Sequence, residues 1–314
     1  MNLRTAGAAA LCAALLLLAR PAPRSSASAR PQGTTTRQDS VVLLVTKGDE
    51  QGAQVEPVAV IDGRGALAEP NLGTGSDGAP SEFTARHYQP GAKYRLVFGG
   101  AEAGFLTIRA ATPAECSPNA ASADLGSAAA KLGGNVMALA TDHARTQRTQ
   151  VSRRAPTVAE RTAAFRLVNN YLAGKRLRAA VIERNTKTLN LTATDLDGDG
   201  REELVGSYVV KTAPQVRDTL FLVAAPQGRS FSPVLTKYAR VNAKEMMDPS
   251  VIDSVGEGGL GVEIYVEQLD VDGDGVGEVF TFSTSFEGTT YRAYRRQGNT
   301  WRGVYENYSY RCAY

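Results

Sequence analysis

The chain has 314 residues, of which 43% are hydrophobic and 21% are charged, so it is long enough to bury one or two sizeable cores. Its formal net charge is +3, and a predicted N-terminal leader carries three of the 35 basic residues, Arg4, Arg20 and Arg24. Without that leader 32 basic residues balance 32 acidic ones, so the charge gives no argument for nucleic-acid binding.

Residues 1–29 have the pattern of a secretory signal peptide. Arg4 precedes an apolar stretch over about 6–19, and small residues ending at Ala29 follow it. The apolar stretch is too short for a comfortable membrane span, so we expect cleavage after about Ala29 rather than an anchor. The sequence therefore predicts a secreted protein, extracellular or periplasmic, with no membrane span after cleavage.

The next segment, 30–150, is predicted to form an antiparallel β-rich domain. Short apolar runs separated by turns that contain Gly, Pro, Ser or Asp are typical of strands. The predicted strands are 41–45, 55–61, 83–88, 94–98, 105–109 and 136–140.

Residues 151–185 are predicted to contain a linker and one amphipathic helix. Thr157 and Glu160 have the spacing of a capping box, and apolar residues then recur at helical intervals up to Leu172. A basic cluster around the start of this segment consists of Arg145, Arg148, Arg153 and Arg154. We interpret this cluster as a solvated linker rather than as a docking patch for a partner.

The last segment, 186–314, contains one nine-residue acidic loop twice. Loop 1 is 195–203, with the sequence DLDGDGREE, and loop 2 is 270–278, with the sequence DVDGDGVGE. Apolar, strand-like runs flank both loops, so each loop is predicted to close a β-hairpin. A glycine followed three residues later by an aromatic residue also recurs, at Gly228 and Gly298, which indicates a repeating unit of two hairpins.

Both loops are predicted to bind Ca²⁺. Carboxylates at positions 1, 3 and 5 converge only where the backbone curls around a point, and glycine at position 6 permits that turn. With no His or Cys nearby, the ligands are all oxygens, which suit calcium, magnesium or manganese. The predicted ligands are Asp195, Asp197, Asp199, the Arg201 carbonyl and Glu203 in loop 1, and Asp270, Asp272, Asp274, the Val276 carbonyl and Glu278 in loop 2.

The flanking strands distinguish this loop from an EF-hand loop. An EF-hand needs an acidic residue at position 12, where this chain has Gly206 and Thr281. The pattern strand, Asp-x-Asp-x-Asp-Gly-x-x-acid, strand resembles the FG-GAP and VCBS repeat families, over roughly 186–314. The resemblance implies a four-stranded β-propeller blade for each repeat, with calcium stiffening the hairpin. This chain has Glu at position 9, where the families usually have Asp.

The expected fold is mainly β: an N-terminal antiparallel β domain, one linking helix and two blade repeats in a partial propeller. The chain has too few residues for a complete seven-bladed propeller. Because a stack of fewer than three repeats usually leaves an end exposed, we expect the helix, and also the N-terminal domain, to close it. The alternative is a compact four-unit barrel with degenerate N-terminal blades.

Two cysteines remain after removal of the leader, Cys116 and Cys312. In an oxidising compartment they are candidates for a single disulfide between the N-terminal domain and the C-terminus. Two free thiols are the alternative.

No catalytic constellation is recognisable in the sequence. The only histidines, His87 and His143, lie in no known nucleophile or metal-binding motif, and we predict no catalytic residues. The sequence favours a secreted, non-enzymatic calcium-binding repeat protein that binds an extracellular protein or glycan. The alternative is a secreted, calcium-stabilised hydrolase with its active site in the N-terminal domain.

Aromatic residues crowd the last repeat, where they either contact a partner or pack the faces of the blades. They are Tyr265, Tyr291, Tyr294, Trp301, Tyr305, Tyr308 and Tyr310.

Overall fold

The computed structural model of this chain describes residues 39–48, 52–73, 80–114, 117, 119–126, 130–144, 150, 152–257 and 260–311. These residues belong to one compact unit, Arg37–Tyr314, and a second unit, Met1–Thr36, falls outside the described residues. The predicted signal peptide and both predicted disulfide partners, Cys116 and Cys312, also lie outside them. The described part is mainly β with several antiparallel sheets, which confirms the predicted fold class at this level.

The N-terminal strands form a closed six-stranded antiparallel barrel. The strands are β1 Ser40–Lys47, β2 Gly52–Ile61, β3 Leu67–Ala68, β4 Lys93–Phe98, β5 Ala101–Ala111, β6 Ala121–Leu125 and β7 Ala138–Thr141. Their order is β1-β7-β4-β5-β6-β2; pairing of β1 with β2 closes the ring, and β3 adds to β2. Along β1, Val41 and Leu43 fill the barrel, whereas Val42 and Leu44 face a second core outside it. Burial of both faces explains why β1 is a continuous apolar run.

The segment predicted as a strand at 83–88 is a helix instead. Helix α1 spans Glu82–His87, and the Ser81 hydroxyl caps it by accepting a hydrogen bond from the Thr84 amide at 3.1 Å. Phe83, Thr84 and His87 are its buried residues. Residues i and i+4 share a face in a helix, so Phe83 and His87 pack together inward, and the serine before them was the sequence signal for a helix start.

Residues 151–185 contain two helices, where the sequence predicted one. Helix α2 spans Val158–Gly174, and the predicted capping box of Thr157 and Glu160 is present. A turn in which Arg176 has a φ of 65° separates α2 from a short helix α3, Ala179–Asn185. The buried residues of the two helices are Ala164, Val168, Leu172 and Ile182.

The remaining strands form two four-stranded antiparallel sheets with the same sequential strand order. The helix-side sheet consists of β8 Thr186–Thr194, β9 Glu203–Ala213, β10 Val216–Gln227 and β11 Ser230–Asn242. The barrel-side sheet consists of β12 Ile264–Leu269, β13 Glu278–Thr284, β14 Gly288–Gln297 and β15 Thr300–Tyr310. The segment that connects β11 to β12 contains two short 3-10 helices, Ala243–Glu245 and Pro249–Ser254.

The sheets pack face to face, and other elements cover their outer faces. Phe221 and Val205 of the helix-side sheet meet Tyr265 and Tyr294 of the barrel-side sheet in a shared core. Helices α2 and α3 pack on the other face of the helix-side sheet. The outward side chains of the barrel pack on the other face of the barrel-side sheet. The layers therefore run in the order helices, helix-side sheet, barrel-side sheet, barrel, and each sheet is covered on both faces.

Candidate metal sites

Each acidic loop joins the first two strands of a sheet. Loop 1 connects β8 to β9, and loop 2 connects β12 to β13. The glutamate at position 9 is already in the second strand, because Glu203 pairs in register with Thr194 and Glu278 with Leu269. Both loops therefore close β-hairpins, as predicted.

The backbone of loop 1 curls around the Asp195 carboxylate. Asp195 Oδ1 accepts a hydrogen bond from the Gly198 amide at 2.7 Å, and Oδ2 accepts one from the Gly200 amide at 3.1 Å. Gly200 has a φ of 81°, a conformation that glycine adopts without strain. The Arg201 amide donates to Asp199 Oδ1 at 2.7 Å. These bonds close the loop into the tight turn that the Asp and Gly spacing predicts.

Loop 2 repeats these contacts residue for residue. Asp270 Oδ1 and Oδ2 accept hydrogen bonds from the amides of Gly273 and Gly275 at 2.6 and 3.0 Å, and the Val276 amide donates to Asp274 Oδ1 at 2.8 Å. The two loops have different residues at positions 2, 7 and 8. The shared Asp and Gly residues are therefore sufficient to specify the conformation.

The glutamates at position 9 lie buried at the base of the loops. Glu203 Oε2 accepts a hydrogen bond from the Leu196 amide at 2.9 Å, and Glu278 Oε2 accepts one from the Val271 amide at 3.0 Å. Burial raises the pKa of each glutamate to about 7, since removal from water disfavours the ionised form. A cation held between these oxygens would offset that cost.

Three carboxylates converge in each loop, with one oxygen of each within 4.8 Å of the others. The loop 1 group is Asp195, Asp197 and Glu203, and the loop 2 group is Asp270, Asp272 and Asp274. An all-oxygen set of this kind fits a hard cation such as Ca²⁺, which takes about six to eight oxygen ligands. The residues present in both loops therefore fit the ion predicted for them.

The predicted ligand sets are only partly brought together. Asp199 of loop 1 and Glu278 of loop 2 lie outside the two groups of converging carboxylates. The carbonyl ligands expected from Arg201 and Val276 stay predictions.

Two consecutive arginines near the end of β14 contact the loops, and sequence reasoning missed both. Arg295 Nε lies 2.5 Å from Glu278 Oε1, and Arg295 Nη2 lies 3.2 Å from Asp272 Oδ2. The Arg296 guanidinium pairs with Asp197 of loop 1, across the interface between the sheets. The only signal in the sequence was the position of the Arg-Arg pair, directly before the recurring Gln-Gly turn.

Loop 1 opens into a cleft of about 470 Å³ between the two sheets. Asp197, Asp199 and Glu203 line one part of this cleft, which we call the loop 1 cleft. Arg296 and Trp301 of the barrel-side sheet also line it. An ion in loop 1 would therefore face a cavity that both sheets build.

The prediction of a solvated linker was wrong for Arg153, whereas Arg154 is exposed, as predicted, but forms ion pairs. The Arg153 side chain is buried against Glu267, at 3.2 Å. Arg154 donates hydrogen bonds to Glu160 of the capping box and to Glu202 of loop 1, so it ties the start of α2 to that loop. Arg145 and Arg148 lie outside the described residues. The linker prediction failed for Arg153 because its partner Glu267 is more than one hundred residues away in the sequence.

The two histidines and the aromatic residues of the last repeat are mostly packing residues. His87 lies in α1 with its ring centroid 4.6 Å from that of Phe83, and His143 is buried. Four of the aromatic residues are buried in the faces of the barrel-side sheet: Tyr265, Tyr291, Tyr294 and Trp301. By contrast, the Tyr308 and Tyr310 side chains of β15 are exposed.

Among the described residues, no helix is long and apolar enough to cross a membrane. Comparisons of the chain with protein-family models, with curated proteins and with solved structures found no significant match.

Proposed function

We propose that this chain is a secreted, non-enzymatic, calcium-stabilised protein that binds an extracellular protein or glycan. The observation that carries the proposal is the matched geometry of loops 1 and 2. Two different sequences form the same curled turn, with the same hydrogen bonds, and each turn gathers three carboxylates. Carboxylates so close together repel one another unless a cation lies among them, which supports one Ca²⁺ in each loop.

Calcium would stiffen the two hairpins rather than decide whether the chain folds. Extracellular calcium sites often have dissociation constants near 10⁻⁴ M, and millimolar calcium would then stabilise each site by roughly 1.4 kcal/mol. The cores on both faces of each sheet supply packing that does not depend on the ion. The ion would mainly relieve charge repulsion within the loops and the cost of burying Glu203 and Glu278.

The two four-stranded sheets are, in this proposal, two blades of the FG-GAP and VCBS type. Their shared strand order and their acidic loops between the first and second strands support this assignment. The pair would form a partial propeller closed by the helices at one end and by the barrel at the other. Secretion is supported by the signal-peptide pattern at 1–29 and by the calcium concentration outside the cytoplasm, which suits loose sites.

The outer side of β15 is the surface that we assign to the partner. This strand is at the edge of the barrel-side sheet. The exposed fractions of Tyr308 and Tyr310 are 50% and 66%, and their alternate positions in unbroken register with β14 place them on one face of the strand. Val304, which is 39% exposed, lies at a β-bulge of the same strand. Exposed tyrosines with a neighbouring aliphatic side chain suit contact with a protein or with a glycan.

The calcium sites are tested by thermal unfolding of the mature chain with Ca²⁺ and with a chelator. Wild-type protein should melt at a higher temperature with Ca²⁺, and the double variant Asp197→Ala/Asp272→Ala should lose that shift. A matched control, Glu102→Ala/Asp124→Ala, removes two exposed acidic residues of the barrel and should keep the shift. A shift that survives in the loop variant, or the absence of binding heat in calorimetry of the wild type, would refute the calcium sites.

The partner surface needs its own experiment. Capture on a glycan array or from native cell surfaces should occur with wild-type protein and fall for Tyr308→Ala/Tyr310→Ala. Because both side chains are largely exposed, this variant should unfold at nearly the wild-type temperature. Undiminished capture by the variant would move the partner site away from β15.

A further inference from the structure

The two sheets have different residues at one corresponding strand position next to the acidic loops. In the barrel-side sheet Val279 pairs with Tyr294, and the residue after Tyr294 is Arg295. In the helix-side sheet the strand residue that corresponds to Val279 is Leu204, which pairs with Ala224. The counterpart of Arg295 is therefore Ala225, and loop 1 has a methyl group where loop 2 has a guanidinium.

At loop 2 the guanidinium of Arg295 bridges two predicted ligands. It contacts Glu278 at position 9 and Asp272 at position 3, at 2.5 and 3.2 Å. Two contacts from one planar group are geometrically specific and stronger than a single ion pair. Glu278 is accordingly absent from the converging carboxylates of loop 2.

At loop 1 the corresponding place is open. Ala225 lines the loop 1 cleft together with Glu203, and Glu203 joins the converging carboxylates of its loop. Arg296 reaches loop 1 from the other sheet, and its ion pair there is with Asp197. In loop 1 the carboxylate of Glu203 is therefore accessible to an incoming ion, whereas in loop 2 the carboxylate of Glu278 is bound to Arg295.

We propose that Arg295 acts as an internal counter-ion at loop 2, so that loop 1 takes up Ca²⁺ first and loop 2 binds it more weakly. This inference rests on the proposed calcium sites. A cation entering loop 2 must break or share two contacts of Arg295, with Glu278 and Asp272. A cation entering loop 1 must share Asp197 with Arg296, but it meets an alanine beside Glu203. Loop 1, which opens into the cleft between the sheets, is then the calcium-responsive site, and loop 2 is held by its own arginine when calcium is low.

The single tryptophan of the chain makes the two sites distinguishable. Trp301 lines the loop 1 cleft with Asp197 and Glu203, so excitation of this residue should sensitise the luminescence of Tb³⁺ bound in loop 1. Tb³⁺ is a calcium substitute with the same preference for oxygen ligands. Displacement of Tb³⁺ by Ca²⁺ then reports the affinity of loop 1, and calorimetry with Ca²⁺ reports both loops.

The wild-type protein should have two calcium sites of unequal affinity, and the Tb³⁺ luminescence should report the site with the higher affinity. Arg295→Ala should tighten the weaker site by about tenfold and leave the Trp301-sensitised site nearly unchanged, and Ala225→Arg should weaken the sensitised site by about tenfold. Arg302→Ala is the control, because Arg302 is exposed and is the register partner of Arg295 on β15. It removes the same charge and should change neither affinity by more than about twofold.

Three results would overturn this inference while leaving the calcium sites in place: equal affinities in the wild type, a Tb³⁺ signal that follows the weaker site, or a weaker second site in Arg295→Ala. The last result would make Arg295 a residue that orients Glu278 for the ion. Arg295→Gln, which keeps a hydrogen-bond donor, provides a second test if the alanine variant unfolds. Absence of both calcium heat and Tb³⁺ luminescence in the wild type would overturn the calcium sites themselves, and this inference with them.

Discussion

Arg153 and Glu267 form an ion pair at the junction of the barrel and the barrel-side sheet, with side chains only 3% and 0% exposed. Glu267 also accepts hydrogen bonds from the amides of Gly99 and Gly100, at 2.8 and 3.1 Å, in the turn between β4 and β5. Arg153 Nη1 donates to the carbonyl of Val266 at 2.8 Å. One carboxylate and one guanidinium thus join the barrel, the barrel-side sheet and the segment before α2.

The first prediction concerns this ion pair. Glu267→Gln should lower the free energy of unfolding by about 3 kcal/mol or more, because it leaves the buried charge of Arg153 without its counter-ion and turns an amide toward backbone donors. Asp124→Asn is the control, because the ion pair of Asp124 with Arg109, at 3.4 Å, is exposed to solvent. This variant should lower the free energy of unfolding by less than about 1 kcal/mol. Denaturant unfolding measures both. Equal effects of the two variants would contradict a structural role for the buried pair.

The second prediction compares two glycines with similar backbone conformations. Gly100 and Gly91 have φ of 70° and 86°, so an alanine at either position should cost about 1 kcal/mol through backbone strain. A Cβ on Gly100 would lie 2.1 Å from Gln268 Nε2, whereas a Cβ on Gly91 would meet nothing within 4 Å. Gly100→Ala should therefore destabilise the protein by about 2 kcal/mol more than Gly91→Ala does.

The clash at Gly100 also has an expected effect on loop 1. Gln268 Nε2 donates a hydrogen bond to the Asp195 carbonyl at 2.8 Å, so displacement of the Gln268 side chain should weaken calcium binding in Gly100→Ala. Gly91→Ala should leave calcium binding unchanged. Titration of both variants with Ca²⁺ checks this, and identical affinities would show that Gln268 does not support the loop.

The third prediction is a pH dependence that originates at His87. Burial lowers the pKa of His87 below its ordinary value of 6.5; the Asp142 carboxylate opposes this shift, and Arg86 adds to it. The folded state therefore prefers neutral His87. Well above pH 6.5, His87 is neutral in both the folded and the unfolded state and does not change the free energy of unfolding. As the pH falls through 6.5, the unfolded state binds a proton at this residue that the folded state does not bind, so the free energy of unfolding decreases.

Unfolding measured between pH 8 and pH 5 in the presence of chelator tests this expectation. His87→Gln should lose less stability than the wild type over the acidic part of that range, whatever its stability at pH 8. Parallel pH profiles for the two proteins would assign the acid sensitivity to other groups.

The fourth prediction concerns the disulfide. Ser117 and Arg311, each the sequence neighbour of a predicted partner, are in contact, since Arg311 Nη1 donates a hydrogen bond to Ser117 Oγ at 3.2 Å. We therefore expect Cys116 and Cys312 to be joined in protein made in an oxidising compartment. By the loop-entropy model such a long closure contributes about 5 kcal/mol at most.

Mass spectrometry of the mature protein under non-reducing conditions should find one peptide pair linked by Cys116 and Cys312 and no free thiol. Cys116→Ser should lower the melting temperature, and reduction of the wild type should have the same effect. Two alkylatable thiols in the native, unreduced protein would support the alternative of free cysteines.

Local signals in the sequence determined the acidic hairpins, the start of α2 and most of the barrel strands. Asp and Gly at fixed spacing specify the turn of loops 1 and 2, and Thr157 with Glu160 specifies a helix start, because the atoms involved lie within nine residues of one another. The strand predicted at 83–88 was wrong because Ser81 caps a helix there, which buries Phe83 and His87 on one face.

Only the tertiary structure decided what surrounds those local elements. The closure of the barrel by β1 and β2, the burial of Arg153 against Glu267 and the contacts of Arg295 and Arg296 all depend on which sheet faces meet and in which register. Hydrogen bonding and hydrophobic periodicity within a short segment carry no information on that choice, since it is made by packing between segments more than one hundred residues apart. The chemistry of each loop could be read from its own nine residues, but the neighbours that make the two loops different could not.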